Sequence, residues 1–128
     1  MTADDAIAQL RDAVQALAQP ALVQRSLFPS FAAAGDELAI DFETAITACA
    51  EASVHHAAPR DQAIADLDAY LLSLSGPSHM PFWDDLDDPR WERVRVLASA
   101  VLVEYGWPEV APVRNDVVVL VDGSQHRR

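Results

Sequence analysis

The chain is predicted to be mainly α: a single-domain helical bundle of about four principal helices with a short C-terminal β segment. Three observations carry that expectation. Apolar residues recur at spacings of three and four along four long stretches, the pattern of helices that bury one side. Prolines and glycines fall at the ends of those stretches, where they start and stop helices. Only near the C-terminus does a β-branched run, Val117 to Val121 between Asn115-Asp116 and Asp122-Gly123, replace the helical period.

The first helix is expected from about Ala3 to Gln19. Thr2 with Asp5 three residues on has the form of an N-cap, with an acid where the helix dipole favours it. Ile7, Leu10, Val14 and Leu17 then make one apolar stripe. Pro20 interrupts it, and Ala21 to Leu27 forms a further short helix ending before Pro29, because a residue preceding proline avoids helical geometry. Phe28 and Phe31 are expected to fold inward from the loop.

Asp36, after Gly35, opens a second strong helix that runs to about His56. Leu38, Phe42, Ala45, Ile46, Cys49, Ser53 and His56 lie on one side of it. Pro59 suits the first turn of a third helix, where its missing amide has no intrahelical partner. Ile64, Leu67, Leu71 and Leu74 are its seam, Asp61, Asp66 and Asp68 lie outside it, and Gly76-Pro77 stops it. Residues 77–88 read as a connector.

Asp88-Pro89 and Gly106-Trp107-Pro108 bracket the last helix with a capping start and a glycine stop. Its second half, Val96 to Val103, has no charge on any face. A helix apolar all round must be surrounded, so this segment is expected to be the bundle's axis. The Val117 to Val121 strand needs a neighbour for its backbone groups. Val110 to Val113, a second copy of the chain in a homodimer, or a partner protein are the alternatives. Residues 1–122 are assigned to one helical domain and 123–128 to a flexible tail.

The 128 residues are 51% hydrophobic and 23% charged, an ordinary globular composition rather than a disordered one. The formal net charge is −11 and all nine basic residues are arginine. Eight acids against two arginines leave −6 over residues 1–58, and twelve against seven leave −5 over 59–128, so charge marks no domain boundary. Such a balance argues against binding nucleic acid or anionic lipid through the bulk surface and favours a basic partner. The single cysteine, Cys49, excludes an intramolecular disulfide and is compatible with a reducing compartment. With no basic-then-apolar leader and no apolar run near the roughly 20 residues of a bilayer span, a soluble cytoplasmic protein is expected.

No Gly-x-Ser-x-Gly elbow, Gly-rich phosphate loop or His-Glu-x-x-His occurs, so neither a catalytic residue nor a cofactor is assigned. Two constellations remain. Glu37, Asp41, Thr44, Ala48, Glu51 and His55 share one face of the second helix. Carboxylates with a histidine suit a divalent metal or acid–base chemistry, so the alternative function is a helical-bundle enzyme or metal-binding protein using Glu37, Asp41, Glu51 and His55 with Asp66 or Asp68. The plainer account is a solvated acidic helix face. The adjacent His55 and His56 point about 100° apart and cannot both face one ion.

The second constellation is Phe82-Trp83-Asp84-Asp85-Leu86-Asp87-Asp88. Rings flanked by acids have the make-up of a docking patch, in which the rings anchor and the carboxylates steer a basic partner. The competing account puts the rings in the core and leaves the aspartates to keep the connector soluble. Arg90, Arg93 and Arg95 are expected to pair with Asp87, Asp88 and Glu92.

In size, charge and single-domain make-up the chain resembles bacterial immunity proteins and antitoxins, which neutralise nucleases and other toxins. The resemblance implies a non-enzymatic protein that masks a basic partner. Phe82, Trp83, Asp84, Asp85, Asp87 and Asp88, together with Glu37, Asp41 and Glu51, would then occupy the partner's basic surface, with Trp83 holding it in place.

Overall fold

Five helices build the core of the computed structural model: α1 (Ala3–Leu17), α2 (Ala21–Ser26), α3 (Ala34–Glu51), α4 (Ala58–Ser73) and α5 (Pro89–Tyr105). The structure describes residues 2–30, 32–52, 58–75, 82–83 and 85–112, with the backbone alone at 58–61. Expectations for Phe31, Ser53, His55, His56, Asp61, Gly76-Pro77, Asp84, the Val117 to Val121 strand and the 123–128 tail lie outside the described residues. Among those described there is no strand, and 107–112 follow an irregular path. Among the described residues there are five helices, of which α2, expected over Ala21 to Leu27, is a separate six-residue element.

Packing order is α3, α1, α5, α4: α1 lies against both α3 and α5, and α5 against α4. One contiguous cluster joins them, with Leu10, Val14 and Leu17 of α1, Leu38 and Phe42 of α3, Leu67 and Leu71 of α4, and Trp91, Val94 and Val101 of α5 all buried. Three helix ends match their sequence signals. Thr2 Oγ1 accepts from the Asp5 amide at 3.1 Å at the start of α1. Asp88 caps α5 by accepting from the Arg90 amide at 2.9 Å, with Pro89 in the first turn. Gly106 ends α5 at φ 71°, and the Trp107 amide reaches back to the Leu102 carbonyl at 2.9 Å, the paired closure that a left-handed residue permits.

The expected axis is not where the chain is most enclosed. Val96 is 52% exposed and Val103 76% exposed, with Ala100 exposed between them. Helix α5 therefore buries one side, through Trp91, Val94, Ala98, Val101 and Leu102. The segment covered on every side is Ala13 to Gln19, at the end of α1, where each residue is buried. Its alanines let two long helices approach closely, and its glutamines are satisfied internally: Gln15 Nε2 donates to the Pro108 carbonyl at 3.0 Å and Gln19 Nε2 to the Gln15 carbonyl at 3.2 Å. Burial of polar groups is tolerated when each finds a partner.

Helix α3 starts at Ala34, two residues earlier than expected, and ends at Glu51 rather than near His56. Gly35 is thus inside the first turn, where its role is close approach: an added Cβ would lie 2.5 Å from the Trp83 carbonyl oxygen and 3.0 Å from the Trp91 ring. Gln24, wholly buried on α2, donates to the Ala16 and Leu17 carbonyls at the end of α1 and accepts from Arg95 of α5 at 2.9 Å. Arg95 also donates to the Leu86 carbonyl at 2.7 Å, so one arginine joins α2, α5 and the turn that leads into α5.

Candidate functional site

Three sets of groups decide where chemistry or binding can occur: the 82–88 connector, the outer face of α3, and the flank of α3 that meets α4.

In the connector, the side chains named as anchors are part of the fold. Phe82 is fully buried and stacks on Trp91 at 4.5 Å between ring centroids. Trp83 packs edge-on to both rings and its Nε1 donates to the Leu74 carbonyl at 3.0 Å, at the end of α4. Trp91 Nε1 donates in turn to the Phe82 carbonyl at 2.8 Å. The acids are engaged as well. Asp85 accepts from the Asp87 amide at 2.9 Å, Asp87 pairs with Arg25 at 2.7 Å, and Asp88 holds Arg90 at 2.8 Å while capping α5. Hydrogen bonds from the Arg90 side chain and amide pull the Asp88 carboxyl down to about 2. The arginines expected to take local acids do so at Arg90, and at Arg95, which reaches Glu92 at 3.3 Å as well as Gln24.

Helix α3 is different. It carries five acids, Asp36, Glu37, Asp41, Glu43 and Glu51, and no basic residue. Glu37 and Asp41 are half-buried and Thr44 and Glu51 exposed, along one line of the helix. That line runs into a cavity of about 590 Å3 formed by Gln9 of α1 with Glu43, Thr44, Thr47 and Glu51 of α3. The arginines whose partners are on the page are committed elsewhere: Arg11 to Asp12, Arg25 to Asp87, Arg90 to Asp88 and Arg95 to Glu92. Among the described residues the groove is lined by carboxylates, hydroxyls, Gln9 and two alanines, with no arginine.

The candidate metal set does not assemble. Among the described residues no three His, Cys, Asp or Glu side chains are grouped to hold an ion. Asp66 accepts from Gln62 at 2.7 Å and lines a separate groove with Leu97 and Glu104 of α5. Asp68, expected outside the seam of its helix, is half-buried and has one oxygen, Oδ1, buried without a donor. It faces Glu43 of α3 within hydrogen-bonding reach, and that contact, followed by burial and the charge of Asp68, pushes the Glu43 carboxyl up to about 7. Cys49 is buried, donates to the Ala6 carbonyl at 3.5 Å, and has its thiol pushed up by burial, the state of an unreactive core cysteine.

Glu43 is the residue that the amphipathic division of the helix does not single out. It belongs neither to the apolar side nor to the Glu37, Asp41, Thr44, Glu51 line. The signal that marks it is its place in line with Ala39 and Ile46, a carboxyl set in an otherwise apolar row. Asp68 sits in the same way between Ile64 and Leu71.

Comparison with protein-family models, with curated proteins and with solved structures finds no match to this chain. No helix among the described residues is long and apolar enough to cross a membrane.

Proposed function

We propose that this chain is a non-enzymatic, acidic binding protein that masks a basic protein partner, in the manner of an immunity protein or antitoxin, and that it does so with the α3 face and the adjoining groove. The observation that carries this reading is the contrast in charge commitment: α3 carries five acids with no base, while Arg11, Arg25, Arg90 and Arg95 each pair with an acid outside α3. Glu37, Asp41 and Glu51 are the steering carboxylates. The groove beside Gln9, Thr44 and Thr47 accommodates a long basic side chain whose head meets Glu51. Charge of one sign over a concave surface speeds encounter with an oppositely charged partner and loses that advantage as salt rises.

In this reading the weight of the site lies on α3 rather than on the connector. Phe82 is inaccessible, and Asp87 and Asp88 are already occupied by arginines, so the contribution of 85–88 is to hold α5 and α2 together beside the binding face. The test is capture from an extract of the source organism at about 50 and about 500 mM salt, with the native chain and a Glu37→Gln, Asp41→Asn, Glu51→Gln variant as paired baits. A basic protein retained by the native chain at low salt, released at high salt and not retained by the variant is expected. Equal retention by both baits, or retention of no basic protein, overturns the reading.

A further inference from the structure

We propose that Glu43 of α3 and Asp68 of α4 form a proton-operated clasp between the two helices, closed while the pair shares one proton and released when both carboxyls are ionised. The clasp is independent of the partner-binding reading, because it is a property of the isolated chain.

Two observations support it. The first is placement. Helix α4 packs chiefly on α5, and α3 on α1, so among the described residues the carboxyl pair joins two helices that otherwise share little backbone contact. The second is the buried Asp68 Oδ1, which has no donor. A buried acceptor without a partner is costly, and the side chain that meets Asp68, Glu43, is another carboxyl, which donates only when protonated. Among the described residues no cation is recorded against the pair. From α1 the neighbour of Glu43 in the groove is the neutral Gln9, and from α3 it is Glu51. From α4 it is Asp68, while Asp66 and, from α5, Glu104 line the groove on the other side of α4. Arg90 and Arg95 are held by Asp88, Glu92 and Gln24.

The sign follows from the direction of the shift. Glu43 moves from 4.5 up to about 7 on folding, so the folded state holds this proton more tightly than the unfolded state. The clasp stabilises fully below about pH 4.5, weakens as pH rises, and is lost above about 7. One such proton changes the folded-to-unfolded ratio by at most about tenfold per pH unit, and solvent access to Glu43 reduces that. Release is expected to free α4 first, because α4 has fewer packed neighbours than α1.

The experiment is urea unfolding of the full chain at pH 5 and pH 8, compared with Glu43→Gln and with Glu104→Gln, a control that removes the same charge elsewhere. A glutamine amide donates to Asp68 without a titrating proton. The native chain and the control are expected to lose about tenfold or more in folded-to-unfolded ratio between the two pH values, and Glu43→Gln about tenfold less than they do. A pH dependence for Glu43→Gln matching that of Glu104→Gln overturns the proposal. Carbon-13 NMR titration of the unmutated chain gives a second readout that needs no variant: one glutamate carboxyl is expected to titrate near pH 7, and titration of every glutamate below about pH 5.5 overturns it.

Discussion

The connector at 85–88 and helix α3 are both rich in acid, yet their carboxylates do different things. Asp87 and Asp88 have arginines within reach, at 2.7 and 2.8 Å, and Asp85 closes a turn on the Asp87 amide. Helix α3 has no base of its own; Glu43 and Glu51 border a groove, and Glu43 also meets another carboxyl, Asp68. Local density of negative charge therefore does not indicate which acids can receive a partner. What matters is whether a guanidinium or a helix N-terminus already occupies them. In the connector the sequence supplies Arg25, Arg90 and the start of α5 for that purpose, whereas Arg11, Arg25, Arg90 and Arg95 all pair with acids outside α3.

If the connector is structural, the largest effect comes from its buried ring. Phe82→Ala removes the partner stacked on Trp91 and should cost about 3–5 kcal/mol in urea unfolding; a loss below about 1 kcal/mol would place Phe82 outside the core. A smaller effect is expected at the cap. Asp88→Ala should lower Tm by a few degrees at neutral pH. Because its carboxyl is held down to about 2, the stabilisation is present above the ordinary carboxylate value near 3.8 and is lost as pH falls through about 2. Native and variant should therefore converge in strong acid, and a Tm difference that persists below pH 2 contradicts the cap. The smallest effect is at the exposed pair with Arg25, where Asp87→Asn should change stability by no more than about 0.5 kcal/mol. A larger loss would make that pair part of the frame that holds α2.

The extent to which the fold is legible in the sequence follows from the same distinction between residue type and residue surroundings. Caps were legible because they are local: Thr2 with Asp5, Asp88-Pro89 and Gly106 each act within one turn. The seam Leu67, Leu71 and Leu74 was legible because it recurs at helical spacing, and all three are buried. Which helix is enclosed was not. The apolar run Val96 to Val103 suggested all-round burial, but Val103 faces outward. The alanine- and glutamine-rich end of α1 is the enclosed segment because small side chains admit neighbours on two sides and Gln24 closes the carbonyls of Ala16 and Leu17. That depends on a partner seven or eight residues away and on Arg95, which no periodicity contains. Gly35 misled for a related reason: glycine marks helix ends in sequence, whereas here the Trp83 backbone and the Trp91 ring occupy the space a side chain would fill.

Of the candidate site, the Glu37, Asp41, Thr44 and Glu51 line was legible as a helix face. The groove beside it was not, because Gln9 comes from α1 and its approach is set by packing. The Glu43 and Asp68 pair was hidden for the same reason. Each carboxyl interrupts an apolar row on its own helix, and only their juxtaposition gives that interruption meaning.

The comparison between the two acidic regions is tested most directly by calorimetric titration of the captured basic partner, at about 150 mM salt, against two triple variants of equal charge change. Glu37→Gln, Asp41→Asn, Glu51→Gln should raise Kd at least tenfold, and Asp85→Asn, Asp87→Asn, Asp88→Asn, measured under conditions where it remains folded, should leave Kd within about threefold. The reverse order, or equal losses in both, would contradict the assignment of binding to the α3 face.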